Sequence, residues 1–378
     1  MAIDLDAVRA RLTAAGQAGR PAEVAAALAG LGQVVSDASV LATVDALRRE
    51  SQGAGPLDEL LRLPGVTDVL VNGPREVWID RGRGLEAARV EFADDDAVRR
   101  LAVRLAALVG RRLDDASPFV DARLPDGTRV HAVLGCLAGR TCLSLRVPAR
   151  VALTLDDWQA GGGLTGDGRA LLEGLVASRR AVLVSGGTGS GKTTLLASLV
   201  GIIDARERVL VVEDSRELCP THPHVVRMEA RVANAEGAGR VTMTDLVRNA
   251  LRMRPDRIVV GEVRGAELCD LLAAMNTGHE GGLGTVHANT AESVPARLEA
   301  LGALGGLGRA ALHAQVGAAL DAVVHVRRTG DGHRFVEQVG VVASVDGWVT
   351  VQPAVTWEPT GRPRRGLGWE RLAALTGE

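Results

Sequence analysis

The chain has 378 residues, 46% hydrophobic and 24% charged, a balance typical of a globular protein with two or three domains. Its formal net charge of −2 and aromatic content of 2% offer neither the basic footprint nor the stacking platforms of a general nucleic-acid binder. No apolar run approaches the roughly 20 residues that a membrane-spanning helix needs.

Residues 1–56 are predicted to form a helical N-terminal extension that ends in a linker. Apolar residues recur at helical spacing after Leu5 and again after Val24, and glycine and proline follow at 53–56. The acidic start of the chain does not resemble a signal peptide, so we expect a cytoplasmic protein unless a partner holds it at a membrane. The four cysteines contain no C-x-x-C pair, which predicts small buried thiols in a reducing compartment and no zinc.

Residues 57–147 are predicted to form a small α/β domain, in which short strands surround one helix over 94–110. Three arginines lie on its strands. From spacing alone they are best interpreted as solvated charges on a strand face. The arginines are Arg123, Arg129 and Arg146, and the strands cover 66–71, 76–80, 117–124, 128–134 and 142–147.

Residues 148–330 alternate apolar strands with helices, which favours a parallel sheet covered by helices on both faces. Ligands of such sheets bind at the carboxyl ends of the strands. The remaining residues, 331–378, contain β-like runs and a polar tail to which the sequence gives no function. The predicted strands are 181–185, 208–213, 257–262, 283–287 and 322–327, and the predicted helices are 191–203, 244–254 and 265–276.

A glycine-rich turn between the first of these strands and its helix fits the pattern G-x-x-x-x-G-K-[ST]. Glycines let backbone N–H groups converge on phosphate oxygens, and the helix that follows adds the positive end of its dipole. Lys192 is the only lysine, whereas the other 43 of the 44 basic residues are arginines. The turn therefore predicts a nucleoside-triphosphate site, here called the P-loop: Gly186, Gly187, Thr188, Gly189, Ser190, Gly191, Lys192, Thr193 and Thr194.

Acids and histidines stand at the ends of the neighbouring strands. Glu213 and Glu262 close two strands, while His279 and His287 flank a third. A single acid at such a position is usually a cap or a surface charge, but two acids on strands beside a P-loop favour catalysis. ATP hydrolysis needs Mg²⁺ held in place, a water aligned by a carboxylate and cations near the γ-phosphate. We expect these groups to share one edge with Lys192.

Four blocks occur in a fixed order: the P-loop, Val212-Glu213-Asp214-Ser215, the stretch 254–265 and the stretch 277–289. Together they resemble the secretion/traffic ATPases of type II and type IV secretion and of pilus assembly, and the combination is highly specific. The resemblance covers about residues 57–330. Three further stretches resemble the Tad/Flp pilus ATPase branch: 66–73, 114–131 and 246–254.

The resemblance implies an α/β fold with a RecA-like P-loop NTPase domain, a smaller N-terminal α/β domain and the helical N-terminal extension. It also implies a homohexameric ring that clamps ATP between the two α/β domains of each subunit. The expected motor is cytoplasmic and peripheral on the inner face of the cell membrane, where it docks on an inner-membrane platform protein.

The resemblance further implies site roles. Lys192, Thr193 and Thr194 would bind phosphate and Mg²⁺. Glu213 resembles the carboxylate that orients the attacking water, and Glu262 the one that fixes Mg²⁺, directly or through water. The remaining groups are a stabilising cation (Arg264), two γ-phosphate sensors (His279 and His287) and three N-domain arginines that close over the phosphates (Arg123, Arg129 and Arg146).

Two departures leave questions open. Gly261 stands where generic P-loop ATPases place Asp, and because the family shares this, the sequence does not decide which carboxylate is the base. The lack of a paired C-x-x-C module favours the Tad or conjugation-type branch. The alternatives to a secretion motor are a RecA-like nucleic-acid translocase, which the charge balance disfavours, and a scaffold that binds nucleotide without hydrolysing it.

Overall fold

The computed structural model describes residues 5–15, 17, 20–33, 35–82, 84–148, 152–233, 237–358 and 363–377. The chain divides into two compact units, Met1–Pro148 and Ala149–Glu378.

The first unit begins with three helices that share a small apolar core around Val8, Val24 and Leu28. Proline at the first position of the second helix suits a helix start, because its missing N–H would have no partner inside the helix. The helices are α1 (Leu5–Ala14), α2 (Pro21–Gly30) and α3 (Asp37–Gln52).

A six-stranded antiparallel sheet, the small sheet, completes the first unit. Its strand order is β3-β2-β1-β6-β5-β4. The apolar face of helix α5, with Val98, Leu101 and Leu105, packs in the same core as the strands, and Asp94 caps this helix by accepting the Ala97 N–H. The bounds are α4 (Asp58–Arg62), β1 (Asp68–Val71), β2 (Val77–Asp80), β3 (Leu85–Ala87), α5 (Asp95–Leu108), β4 (Phe119–Arg123), β5 (Arg129–Val133), α6 (Gly135–Ala138) and β6 (Cys142–Arg146).

The second unit is built on a nine-stranded sheet, the large sheet, of order β15-β14-β13-β12-β7-β11-β10-β8-β9. Neighbours from β12 to β9 pair in parallel, whereas β12, β13, β14 and β15 pair antiparallel. The strands are β7 (Val182–Gly186), β8 (Val209–Glu213), β9 (Val225–Glu229), β10 (Arg257–Val260), β11 (Leu283–His287), β12 (Ala322–Arg328), β13 (Arg334–Val345), β14 (Trp348–Thr356) and β15 (Arg364–Arg365).

Two separate apolar cores lie against the large sheet, as expected for a sheet covered on both faces. Strands β7 and β8 are buried along their whole length. The helices are α7 (Leu155–Ala160), α8 (Gly166–Ala177), α9 (Lys192–Gly201), α10 (Met243–Ala250), α11 (Glu267–Met275), α12 (Val294–Leu304), α13 (Arg309–Ala319) and α14 (Trp369–Thr376).

The predicted α/β fold class is confirmed, and the parallel order of the sheet holds for six of the nine strands that the structure describes. The strand predicted over 283–287 has those bounds, and the bounds of the other predicted strands differ by at most two residues. Residues 331–378, which the sequence set apart, instead continue the large sheet through β13 and β14. Their apolar faces are buried in both cores, so these strands belong with the second unit.

The prediction of four buried cysteines was wrong. Cys136 is exposed, and Cys142, Cys219 and Cys269 are half-buried free thiols. Among the helices of the described ranges, none combines the length and the apolar character needed to cross a membrane.

A buried arginine fixes the amino end of β10. Arg257 is 1% exposed and donates to the Glu207 carboxylate at 2.8 and 3.0 Å and to the Val176 carbonyl at 2.9 Å. Arg206, the neighbour of Glu207 in the chain, has a side chain that is 90% exposed. The two arginines therefore offer a matched pair for testing how burial changes the contribution of an arginine to stability.

We expect Arg257→Met to lower the free energy of unfolding by about 3 kcal/mol, because it leaves a mostly buried carboxylate without its main partner. Arg206→Met should cause no measurable change, since exposed ion pairs contribute little. Urea unfolding of both variants checks this. Equal losses in the two variants would contradict the interpretation.

Candidate nucleotide-binding site

The P-loop leads from the carboxyl end of β7 into α9. Gly187, Thr188 and Gly189 are exposed at its tip, whereas Lys192 is only 6% exposed. Gly191 has a φ of 99°, in the left-handed region that favours glycine, and directly precedes the helix. The loop thus presents exposed backbone at the positive end of a helix dipole, with a buried ammonium behind it, an arrangement suited to anions.

The Lys192 ammonium is held by two contacts. Its Nζ donates to the Gly187 carbonyl at 2.8 Å and lies 3.4 Å from Nδ1 of His287. Parallel pairing of β11 with β7 aligns His287 with Gly186, which is why two residues far apart in sequence meet here. Burial lowers the pKa of Lys192.

Charged groups continue from His287 across the carboxyl edge of the large sheet. His287 Nε2 lies 3.0 Å from Oε1 of Glu262, and Arg264 donates to the other oxygen of Glu262 at 2.6 Å. Arg264 also contacts Asp214, which follows β8, at 3.2 Å. The structure therefore links Lys192, His287, Glu262, Arg264 and Asp214 in one chain of contacts. Asp214 was missed by the sequence reading, although its position directly after a strand was a usable signal.

The contacts of His287 determine its proton arrangement. An ammonium can only donate, so Nδ1 must accept from Lys192, and the ring proton on Nε2 then donates to Glu262. Burial, followed by the charge of Lys192, lowers the pKa of His287 and favours this neutral form. Burial alone would raise the pKa of Glu262, but the Arg264 hydrogen bond and the surrounding positive charges outweigh it and hold that pKa below its ordinary value.

Glu213 lies at the end of β8 but is turned away from solvent, with 2% exposure. Its Oε1 accepts the backbone N–H groups of Glu217 and Leu218 at 2.8 and 2.7 Å, and its Oε2 lies 3.3 Å from Arg227. Burial raises its pKa despite these donors. Protein groups contact both carboxylate oxygens of Glu213, as they do those of Glu262, but Glu213 is closed off from solvent whereas the Glu262 side chain is 16% exposed.

Gly261 occupies the space beside Glu213. A Cβ atom at Gly261 would lie 2.7 Å from Cγ of Glu213, closer than any normal contact. The structure therefore explains why this chain has glycine before Glu262, where generic P-loop ATPases have Asp: the side chain of Glu213 fills that position.

His279 lies at the opposite edge of the large sheet from the P-loop. It belongs to the turn after α11, where its N–H donates to the Ala274 carbonyl, and it precedes β11, whereas His287 ends that strand. The five residues of β11 span roughly 13 Å. The structure thus does not bring His279 to the edge that holds Lys192, contrary to the expectation that both histidines share it, because the two residues flank one strand.

Arg123, Arg129 and Arg146 lie in the other unit. Strand pairing places Arg129 directly opposite both of the others, so the three form a row across β4, β5 and β6. Arg146 contacts Asp68 of β1 at 3.2 Å. Like charges directly opposite one another are unfavourable in a sheet, so this row of three arginines is unusual. That the row binds phosphate stays a prediction.

The oxygen donors at the carboxyl edge suit Mg²⁺. The Glu262 carboxylate is linked through His287 to Lys192 of the P-loop, and Thr193 of the same loop supplies a hydroxyl. In the described part of the chain no three His, Cys, Asp or Glu residues form a group able to hold a metal ion. Mg²⁺ commonly binds through one or two carboxylates together with water and phosphate.

The chain matches one family model, described as Type II/IV secretion system protein, over residues 50–343. A Mycobacterium tuberculosis protein whose name refers to conjugal transfer is 53% identical over 331 residues, covering 86% of this chain and 94% of that protein. The Type IV secretion system protein PtlH of Bordetella pertussis is 34% identical over 298 residues, covering 71% of this chain and 88% of PtlH.

Among solved structures, the ATPase DotB of Legionella pneumophila has a similar fold. The TM-score is 0.52 at 20% identity, with 79% of this chain and 81% of DotB covered.

The free energy of unfolding should fall as the pH decreases from about 6.5 toward the lowered pKa of folded His287. In this window the unfolded imidazole takes up a proton that the folded one resists, and Glu262 adds a further loss only at lower pH. His287→Asn should reduce the slope between pH 5 and 7, as measured by urea unfolding; part of the slope should remain because burial also lowers the pKa of His325. His131→Asn, at an exposed histidine of the first unit, is the control, and an unchanged slope in His287→Asn would contradict this assignment.

Gly261→Ala should lower the free energy of unfolding by about 1–3 kcal/mol, because the added methyl group collides with Glu213. Adding Glu213→Ala removes the colliding atoms, so the double variant should lose less than the sum of the single losses. A double-mutant cycle by urea unfolding measures this coupling. Strict additivity would show that the two positions do not interact.

Proposed function

The chain belongs to the type II/IV secretion system protein family, and we propose that it is an ATP-hydrolysing motor of that family. The observation that carries the proposal is the contact of the buried Lys192 with His287, which in turn contacts Glu262. These three groups come from three different elements and meet beside an exposed glycine loop.

The triphosphate of ATP would be bound by the P-loop. Its anionic oxygens would replace the Gly187 carbonyl as the partner of the Lys192 ammonium, which is attracted more strongly to a charged acceptor. The N-terminal end of α9 adds favourable potential for the same charge. Thr194, at the same helix start, would also bind phosphate.

Mg²⁺ would be held by the Thr193 hydroxyl and by Glu262, directly or through water, and would neutralise charge on the phosphates. Within this chain, Glu262 is placed to align a water because it lies at the carboxyl edge with its charge maintained by Arg264. Arg264 and Lys192 supply cations where negative charge develops during phosphoryl transfer.

Glu213 receives a different role in this proposal. Its hydrogen bonds to the N–H groups of Glu217 and Leu218 hold the turn after β8. That turn begins with Asp214, the partner of Arg264. Glu213 would therefore position Asp214 and Arg264 rather than contact the water, so the water-aligning role that the family resemblance suggested for Glu213 passes to Glu262.

The work done by the motor is proposed from the relatives. The name of the Mycobacterium relative refers to conjugal transfer and that of PtlH to type IV secretion. We propose that the chain forms a homohexamer that powers Tad/Flp-type pilus assembly or transfer through an inner-membrane platform protein, on the cytoplasmic side of the membrane.

We expect Lys192→Ala to abolish nucleotide binding, because the only buried cation of the loop is lost. Glu262→Gln should bind ADP normally but hydrolyse ATP at least about 100-fold more slowly. Glu213→Gln should retain most of its turnover, since an amide oxygen still accepts from both N–H groups. Phosphate release and calorimetric ADP binding measure these effects.

Unchanged turnover in Lys192→Ala would refute the proposed ATPase. Loss of activity in Glu213→Gln together with a normal Glu262→Gln would reverse the two glutamate roles. Single-stranded DNA should not stimulate wild-type turnover; a strong, salt-sensitive stimulation would instead indicate a nucleic-acid translocase.

A further inference from the structure

The P-loop has a second side, which faces β12 and β13 rather than the catalytic groups. Strand β7 lies between β11, which carries His287, and β12. The side chain of Ser185, directly before the loop, is fully buried, and its Oγ lies 2.9 Å from Nδ1 of His325 on β12. The strand that enters the P-loop is therefore fixed to β12 by a buried hydrogen bond.

The next residue, Gly186, packs directly on the backbone of β12. A Cβ atom at Gly186 would lie 2.4 Å from the carbonyl oxygen of Val326, so only glycine allows this approach. The pairing of β12 with β13 shifts register between His325 and Val326. The irregular point of β12 thus coincides with the start of the loop.

The tip of the P-loop is held by Arg334, the first residue of β13. Its Nε donates to the Gly189 carbonyl at 3.0 Å. Two residues further on, a Cβ atom at Gly191 would lie 3.2 Å from Cδ of Arg334 and equally close to the ring of Trp158. Arg334 therefore contacts the loop at two glycines.

Hydrogen bonds inside the loop converge on the Gly187 carbonyl, which accepts from Ser190 Oγ at 3.0 Å and from Lys192 Nζ at 2.8 Å. A cavity of about 590 Å³ lies beside the loop, lined in part by Thr188, Ser190, His325 and Gln338. Glycine-rich segments lose much conformational entropy when they are ordered. The hydrogen bond from Arg334 to Gly189 thus adds a restraint from outside the loop, at a tip that borders open space.

We propose that Arg334 is a positioning residue that holds the P-loop in its anion-binding conformation. A trans peptide directs its C=O and N–H to opposite sides, so fixing the Gly189 carbonyl toward Arg334 fixes the orientation of the N–H group of Ser190, which turns into the loop toward the Gly187 carbonyl at 3.4 Å. A loop that is already ordered before the ligand binds loses less conformational entropy on binding. This inference rests on the proposed nucleotide site and gives β13, to which the sequence assigned no function, a part in it.

The test compares Arg334→Met with Arg327→Gln. Arg327 lies on the same hairpin, with a side chain that is 62% exposed and paired with Glu337. Arg334→Met should raise the Kd for ADP and the KM for ATP about fivefold, the value of one hydrogen bond, with kcat at saturating ATP nearly unchanged. Arg334→Lys, which keeps a donor, should recover part of the affinity, and Arg327→Gln should match the wild type.

Calorimetric ADP binding and steady-state ATP hydrolysis give these values, and thermal unfolding of each variant monitors stability. The inference is overturned if Arg334→Met binds ADP as tightly as the wild type or more tightly, or if Arg334→Lys is no better than Arg334→Met. It is also overturned if kcat falls while KM stays constant. Failure of the wild type to bind ADP would instead refute the proposed nucleotide site itself.

Discussion

A buried positive charge imposes the main constraint on the carboxyl edge of the large sheet. Burying an isolated ammonium is very costly unless partners surround it, and Lys192 is 6% exposed. Its partners come from a loop carbonyl and from His287, behind which Glu262, Arg264 and Asp214 alternate in charge. The sheet must therefore keep β7, β11, β10 and β8 in parallel register, since each of these strands ends at or shortly before one of these groups.

The parallel and the antiparallel parts of the large sheet contribute different residues around the P-loop. The parallel half brings the linked charged side chains to one edge, as open α/β sheets do with their ligand-binding residues. Strands β12 and β13, where the pairing changes from parallel to antiparallel, contribute His325 and Arg334 to the other side of the P-loop. A loop rich in glycine has little intrinsic preference for one conformation, so contacts from both halves define its shape.

Close packing at the edge also determines which residue types are possible there. The carboxylate of Glu213 is satisfied by two backbone N–H groups and Arg227 and fills the space next to Gly261. A second acidic side chain at position 261 would meet it directly. The glycine that seemed a departure from the usual motif is thus a steric consequence of the buried glutamate.

The sequence determined the parts of this protein that depend on local pattern. Hydrophobic periodicity predicted the alternation of strands and helices, and with it the acids at the strand ends. Glycine spacing and the single lysine predicted the P-loop. All of these are local signals in the sequence. Only the tertiary structure decided which groups meet. It separated His279 from His287 and turned Glu213 away from solvent. It also brought Asp214 to Arg264, and Arg334 to Gly189, which lies 145 residues away in the sequence. Strand order and side-chain direction arise from packing between distant segments, and no local pattern encodes them.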